Sequence, residues 1–238
     1  TEFKNVYTAE PVESSVTDRI KATKSLAGRD LAEGEFSFEL REVKGEDSKL
    51  IETVKNDANG NVAFSALKYT KVGQHIYTLR EVKGNAGGVI YDKTVYTVVT
   101  TIADNGKGQL VATHKLQGAE DVTKIKFKNS YSVTPENSSV TDKIAATKVL
   151  AGRDLKEGEF SFELVEGDKV VATGTNDASG NITMGAVKYT EAGKHTYTLR
   201  EANGGTTSKG VTYSDAEYTI ETTITDKGDG TLEAKHVL

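Results

Sequence analysis

The sequence predicts an all-β chain of two tandem immunoglobulin-like antiparallel β-sandwich domains, and three observations carry that prediction. Short runs alternate apolar and polar residues with period two, turn residues interrupt them at intervals of about ten, and a long stretch of the chain is written twice. SSVTDRIKATKSLAGRDLAEGEFSFEL, from Ser14 to Leu40, returns as SSVTDKIAATKVLAGRDLKEGEFSFEL from Ser138 to Leu164. NDANGN, LKYT, YTLRE and TTIADNGKG likewise return as NDASGN, VKYT, YTLRE and TTITDKGDG. A unit of this size is a whole domain and not one turn of a solenoid.

In the first copy the expected strands are FSFEL, HIYTLREV, TVYTVVTTI and TKIKFKN, each alternating along its length. Asn59-Gly60, Asn105-Gly106 and the stretch from Gly84 to Gly88 supply hairpin turns and loops between them. The pattern leaves room for a short helix near Glu33 or Glu120. The repeat and the chain are cut in different frames, because Phe3-Lys4-Asn5-Val6-Tyr7 matches Phe127-Lys128-Asn129-Ser130-Tyr131. Residues 1–11 therefore read as the last strand of a preceding repeat plus linker, and 12–134 as a first complete domain. Residues 135–238 read as a second domain lacking its own final strand. The polar segments 8–18 and 132–142 hold the only two prolines, Pro11 and Pro135, and read as linkers.

Composition narrows the function. A chain of 238 residues is long enough for two ordinary domains, and 36% hydrophobic with 27% charged residues is a globular balance. The net charge of −5 is spread along the chain, which argues against a nucleic-acid partner. No run approaches the roughly 18 apolar residues of a membrane span and no signal segment opens the sequence, so export and anchoring are expected to lie outside this segment. The absence of cysteine excludes disulfides and thiol catalysis. An extracellular protein of this kind needs another means of reinforcement.

Strand parity marks three polar residues as inward-facing. Lys24 shares a face with Ile20, Ala22 and Leu26; Glu81 with Tyr77 and Leu79; Asn129 with Ile125 and Phe127. Charged residues among core residues require partners. One reading is a buried Lys–Glu ion pair with Asn as a hydrogen-bonding neighbour. The other is chemical: burial lowers an amine pKa and raises a carboxyl pKa, so a neutral amine attacks the Asn side-chain carbonyl while the carboxyl polarises it and moves protons to the departing ammonia. Parity alone leaves both open.

The run TKSLAGRDLAEGEFSFEL, the later YTLRE and the terminal FKNSY resemble the CnaB-type isopeptide-linkage domains of Gram-positive pilins and surface adhesins, as in streptococcal major pilins. With the second copy the likeness covers nearly the whole chain. The resemblance implies an autocatalytic, single-turnover cross-link with Lys24 as nucleophile, Asn129 as acceptor and Glu81 as acid/base, in a structural stalk or shaft module and not a turnover enzyme. It implies a bacterial cell-surface location, with neighbouring repeats of the same surface protein as partners. The second copy keeps Lys148 and Glu201 but has no late Asn, since Asn203 follows too soon after the Glu strand. Asn5, on the orphan strand, is a candidate acceptor in trans, which would make strand donation between chains possible.

A different class of function, binding of a host matrix protein, would use the loops 83–88 and 203–210, which differ between copies. Neither a sorting signal nor a Y-P-K-N-like lysine motif is present, which favours an adhesin stalk over a pilin backbone. No cofactor or metal is expected. Asp57-Ala58-Asn59-Gly60-Asn61 lacks the final Glu of a calcium loop and reads as a hairpin turn. His75, His114, His195 and His236 recur as structural repeats. Glu39 and Glu163 lie opposite in parity to the core residues of FSFEL and are expected to face solvent.

Overall fold

Almost every period-two run becomes a strand, and the alternation sends one set of side chains to a shared interior. The computed structural model describes residues 1–118 and 123–238. Two units divide the chain, Thr1–Tyr131 and Ser132–Leu238. No described helix is long and apolar enough to cross a membrane.

The first unit contains β1 (Val12–Ser14), β2 (Lys21–Ala27), β3 (Ser37–Lys44), β4 (Asp47–Lys55), β5 (Asn61–Val62), β6 (Leu67–Tyr69), β7 (Gly73–Glu81), β8 (Val89–Ile90), β9 (Val95–Asp104), β10 (Leu110–Leu116) and β11 (Lys124–Tyr131). One sheet has the order β10-β9-β7-β3-β4, the other β5-β2-β11-β8, and β1 pairs with β6. The pairing is antiparallel except between β2 and β11, which run parallel with Phe127 opposite Lys24. Strands so far apart in sequence need no hairpin between them, so either direction is open to them. Phe38, Leu40, Tyr77, Leu79 and Val98 from the larger sheet meet Ala22, Ile125 and Phe127 from the smaller. Phe38 and Phe127 pack with ring centroids 5.0 Å apart. Each large side chain so buried contributes about 1.5–3 kcal/mol relative to exposure.

The second unit contains β12 (Glu136–Ser138), β13 (Ser161–Glu166), β14 (Lys169–Asn176), β15 (Ile182–Met184), β16 (Val187–Tyr189), β17 (Gly193–Glu201), β18 (Thr207–Ser208), β19 (Val211–Thr212), β20 (Glu217–Asp226) and β21 (Leu232–Val237). Its main sheet has the order β15-β14-β13-β17-β20-β21. Residues 144–150, the sequence counterpart of residues 20–26 and so of most of β2, cover that sheet but form no strand. They are held by a bridge between Thr147 and Asn181 and by bonds from Lys148 N to Gly180 O and from Ile182 N to Ala146 O. In the first unit β2 owes its ladder to β11. Residues 132–238 carry no FKN counterpart of that strand, and without it the backbone of 144–150 has no ladder to join.

Two expectations need correction. The segments 8–18 and 132–142 are not simple linkers, because β1 and β12 are paired strands within their units. Ser14 Oγ lies 2.8 Å from His114 Nε2, whose Nδ1 lies 2.8 Å from Thr100 Oγ1. Ser15 Oγ donates to Phe64 O at 2.6 Å. The second unit repeats the network through Ser138, His236 and Thr222. Near Glu33 there is a turn and no helix: Ala32 N donates to the Glu35 carboxylate and Gly34 N to Asn56 O, so local groups bond outside any helical ladder. Glu120 lies outside the described residues.

Burial holds the His114 and His236 pKa values below the usual 6.5. The unfolded chain then takes up these protons first, so stability is lost as pH falls below about 6.5 towards the depressed folded-state values. Denaturation midpoints compared at pH 7.5 and 5.5 are expected to fall with pH, with a smaller fall in His114→Gln. Backbone geometry gives a second expectation. Gly60 has φ +79°, and a Cβ there would lie 2.2 Å from the Lys24 carbonyl oxygen. Gly60→Ala is expected to destabilise the first unit by about 1–3 kcal/mol, whereas Gly45→Ala, left-handed but in open space, costs about 1 kcal/mol. Urea unfolding of the two variants checks the contrast.

Candidate functional site

Lys24 and Asn129 come from adjacent parallel strands, and their register puts Asn129 opposite Leu26, two residues along from Lys24. Both side chains therefore emerge on the inner face as diagonal neighbours. Glu81 closes β7 in the facing sheet. All three are buried, with 4%, 4% and 6% exposure for Lys24, Asn129 and Glu81. Lys24 Nζ lies 2.9 Å from Glu81 Oε1 and donates to Oε2 at 3.0 Å. Asn129 Nδ2 donates to the same Oε1 at 2.7 Å. One carboxylate oxygen thus touches both the amine and the amide nitrogen.

The amide orientation is fixed from its other side. The backbone N–H of Asp92 donates to Asn129 Oδ1 at 2.8 Å, and only the carbonyl oxygen of the amide accepts such a bond. The same N–H reaches Glu81 Oε2 at 3.2 Å. Asp92 is itself positioned by its Oδ2, which accepts from Lys128 N at 2.7 Å. The Phe36 ring lies 4.5 Å from Lys24 Nζ and forms an apolar wall of the site. Burial, the largest influence on the Lys24 amine, pulls its pKa below the ordinary lysine value against the opposing charges of Glu81, Asp92 and Glu35. A desolvated amine, an amide carbonyl polarised by an N–H and a carboxylate on the leaving nitrogen form an acyl-transfer geometry.

Sequence reasoning missed Asp92, and no side-chain pattern reveals it, since the group at work is a backbone N–H. It also missed Phe36 as a wall of the site. Glu39 and Glu163 do lie on the outer faces of their strands, yet Glu39 is half-buried under Arg80 and Arg41, and Glu163 pairs with Arg200.

The second unit holds an incomplete version. Lys148 Nζ lies 2.9 Å from Glu201 Oε1 and donates to Oε2 at 3.0 Å. Ser214 N donates to Glu201 Oε2 at 2.8 Å, in the place of Asp92 N. Glu201 Oε1 is buried, and despite the nearby amine it accepts no hydrogen bond of proper angle. In the first unit that atom's counterpart accepts from Asn129. Asn203 is exposed in the turn after β17, where it serves only the loop, its carbonyl accepting from Thr206 N. Asn5 is exposed and belongs to no strand.

The family model of FctA, the Spy0128-like isopeptide-containing domain, matches residues 20–132 and 144–238. The chain belongs to this family. Its two matched segments make it a tandem of β-sandwich modules of this isopeptide-containing domain family. Among solved structures, the T-13 major pilin of Streptococcus pyogenes is 18% identical over 97% of this chain and 92% of its own, with a TM-score of 0.35. The T3.2 major pilin of the same species is 15% identical, covering 92% of this chain and 97% of its own, with a TM-score of 0.32. A C-terminal fragment of the pilus adhesin SpaC from Lactobacillus rhamnosus GG is 12% identical over 90% of this chain and 95% of its own, with a TM-score of 0.27. At these scores the family assignment rests on the matching family model alone. No curated protein matches the chain.

Removal of Glu81 is expected to leave the Lys24 charge buried without a partner. In an Asn129→Ala background, where no acceptor is present, Glu81→Ala is expected to cost about 3–5 kcal/mol. Lys24→Met combined with Glu81→Leu in the same background is expected to recover most of that loss. Equilibrium denaturation of the three variants measures both effects.

Proposed function

We propose that this chain is a structural stalk or shaft segment of a Gram-positive surface pilus or adhesin, reinforced in its first unit by a Lys24–Asn129 isopeptide bond. The observation that carries the reading is the single oxygen, Glu81 Oε1, shared by Lys24 Nζ and Asn129 Nδ2. In the first step a proton passes from the Lys24 ammonium to Glu81, leaving a neutral amine beside a neutral acid. Nζ then attacks Asn129 Cγ, and negative charge developing on Oδ1 meets the Asp92 N–H. Glu81 delivers a proton to Nδ2 and takes one from Nζ, the Cγ–Nδ2 bond breaks, and ammonia leaves. The balance is one amine and one primary amide converted to one secondary amide and ammonia, with no co-reactant.

The benefit suits a cysteine-free stalk. By analogy with cross-links that close loops of about 100 residues, the bond would stabilise the unit by about 4–5 kcal/mol. It resists reduction and ties the first strand of the smaller sheet to the last. For the second unit the reading extends to Lys148 and Glu201, with an acceptor strand supplied from outside residues 132–238. Attachment to the cell wall would come through other parts of the surface protein.

Intact mass of the denatured chain tests the first-unit bond. A deficit of one ammonia is expected in the parent chain and absent from Lys24→Ala, Asn129→Ala and Glu81→Ala. A parent chain at its full calculated mass would reduce the trio to an ion pair with a hydrogen-bonded amide.

A further inference from the structure

Strand β8 pairs with β11 at Ser130, opposite Ile90, and at Tyr131, opposite Val89. Backbone groups two residues apart on a strand share an edge, so the edge of β11 that meets β8 also carries Lys128 and Lys126. Side chains complete that edge where β8 stops. Lys128 N donates to Asp92 Oδ2 at 2.7 Å, and the Tyr96 hydroxyl donates to Lys126 O at 2.9 Å. Both side chains come from the segment that follows β8. Asp92 Oδ1 accepts from Thr94 N at 2.8 Å, a turn that carries the chain off the end of β8 and into β9. The Tyr96 ring stands edge-on to Phe127 at 5.3 Å, so the core aims its hydroxyl.

Asp92 therefore grips the acceptor twice. Its N–H donates to Asn129 Oδ1 at 2.8 Å, and its carboxylate holds the backbone one residue before Asn129. With Nδ2 on Glu81 Oε1, the Asn129 amide is held at both heteroatoms and at its root. Burial pushes the Asp92 carboxyl pKa up, but the bonds from Thr94 and Lys128 outweigh it and leave the value below that of an ordinary aspartate. The group is ionised at neutral pH and takes charge-assisted bonds, roughly twice as strong as neutral ones. The second unit has Ser214 at this place. Its hydroxyl accepts from Ala216 N at 3.3 Å, as Asp92 accepts from Thr94 N, but it offers a single oxygen. One acceptor oxygen is enough for the turn, and the second oxygen of Asp92 goes to β11.

Resting on the isopeptide reading above, we infer that Asp92, through its carboxylate, and Tyr96, through its hydroxyl, are positioning residues for the cross-link, tying the edge of β11 so that Asn129 Cγ is presented to Lys24 Nζ. Neither of these side-chain groups touches a reacting atom. They matter because β8 meets that edge of β11 at Ser130 and Tyr131, beyond Asn129, and a reacting carbon displaced by about 1 Å loses about a hundredfold in rate. In Asp92 one residue sets both the strand and the N–H that faces the charge developing on Oδ1, so acceptor and donor stay in register.

The test uses full-length chain recovered from insoluble material, unfolded and still at its full calculated mass. It is folded by dilution, and the loss of ammonia is followed by intact mass. The first-order rate is read well below the unfolding transition of each variant, measured in a Lys24→Ala background, so that a loss of stability alone leaves the rate unchanged. Asp92→Ser, which keeps an acceptor for Thr94 N, is expected to lose ammonia about a hundredfold more slowly than the parent. Asp92→Asn, which retains one carbonyl oxygen for Lys128 N, is expected to recover about tenfold of that loss. Tyr96→Phe, which retains the ring on Phe127, is expected to slow the reaction about threefold. Equal rates in the parent, Asp92→Ser and Asp92→Asn would overturn the inference and leave the cross-link reading intact; Tyr96→Phe at the parent rate would remove Tyr96 from it. If Asp92→Ser does not fold, a parent-like rate in Asp92→Asn overturns the inference in the same way. A folded parent that never loses ammonia would remove the cross-link reading and this inference together.

Discussion

The first unit depends on a carboxylate enclosed between two sheets. Glu81 is the only acid at the end of β7 that faces inward, and its Oε1 is the atom on which an amine from β2 and an amide from β11 converge. A buried carboxylate alone would oppose folding, because its desolvation is not repaid by packing. It is tolerated because Lys24 balances its charge and Asn129 and Asp92 supply donors. The surrounding core then fixes the geometry: Phe36 and Phe127 leave these polar groups little freedom except to face one another.

Much of this was legible because strands alternate strictly. Once Tyr77 and Leu79 are assigned to the interior, Glu81 must follow, and the same parity carries Lys24 and Asn129 inward. The hairpin at Asn105-Gly106 was legible for a different reason, since left-handed backbone there selects glycine. The glycine turn at Asn59-Gly60 closes no hairpin and instead passes the chain from β4 in the larger sheet to β5 in the smaller. Parity says nothing about which strands are neighbours, so the parallel pairing of β2 with β11 is a tertiary result. Nor does it reveal backbone donors. Asp92 N–H takes its place through the turn after β8 and the anchoring of Asp92 Oδ2 on Lys128 N.

The proline-bearing segments were misread because they are polar and look like spacers. Their serines in fact bond inward, to a histidine in each unit and to the carbonyls of Phe64 and Met184. The comparison of units also separates what the local sequence determines from what a neighbour must supply. Residues 144–150 differ little from β2 in alternation, and both units retain the Lys–Glu pair at the same distances. Only the unit with an adjacent FKN strand turns that alternation into a regular ladder.

The parallel course of β2 and β11 has a mechanical meaning. Chain entering a unit at the start of β2 and leaving at the end of β11 passes from one pole of the sandwich to the other. A pull on the two ends slides these strands past each other lengthwise, and the backbone bonds along their seven paired positions share the load at once. An antiparallel pair pulled from one pole would instead open like a zipper, one bond after another. The strand direction thus makes the first unit a shear-loaded joint before any covalent link is considered.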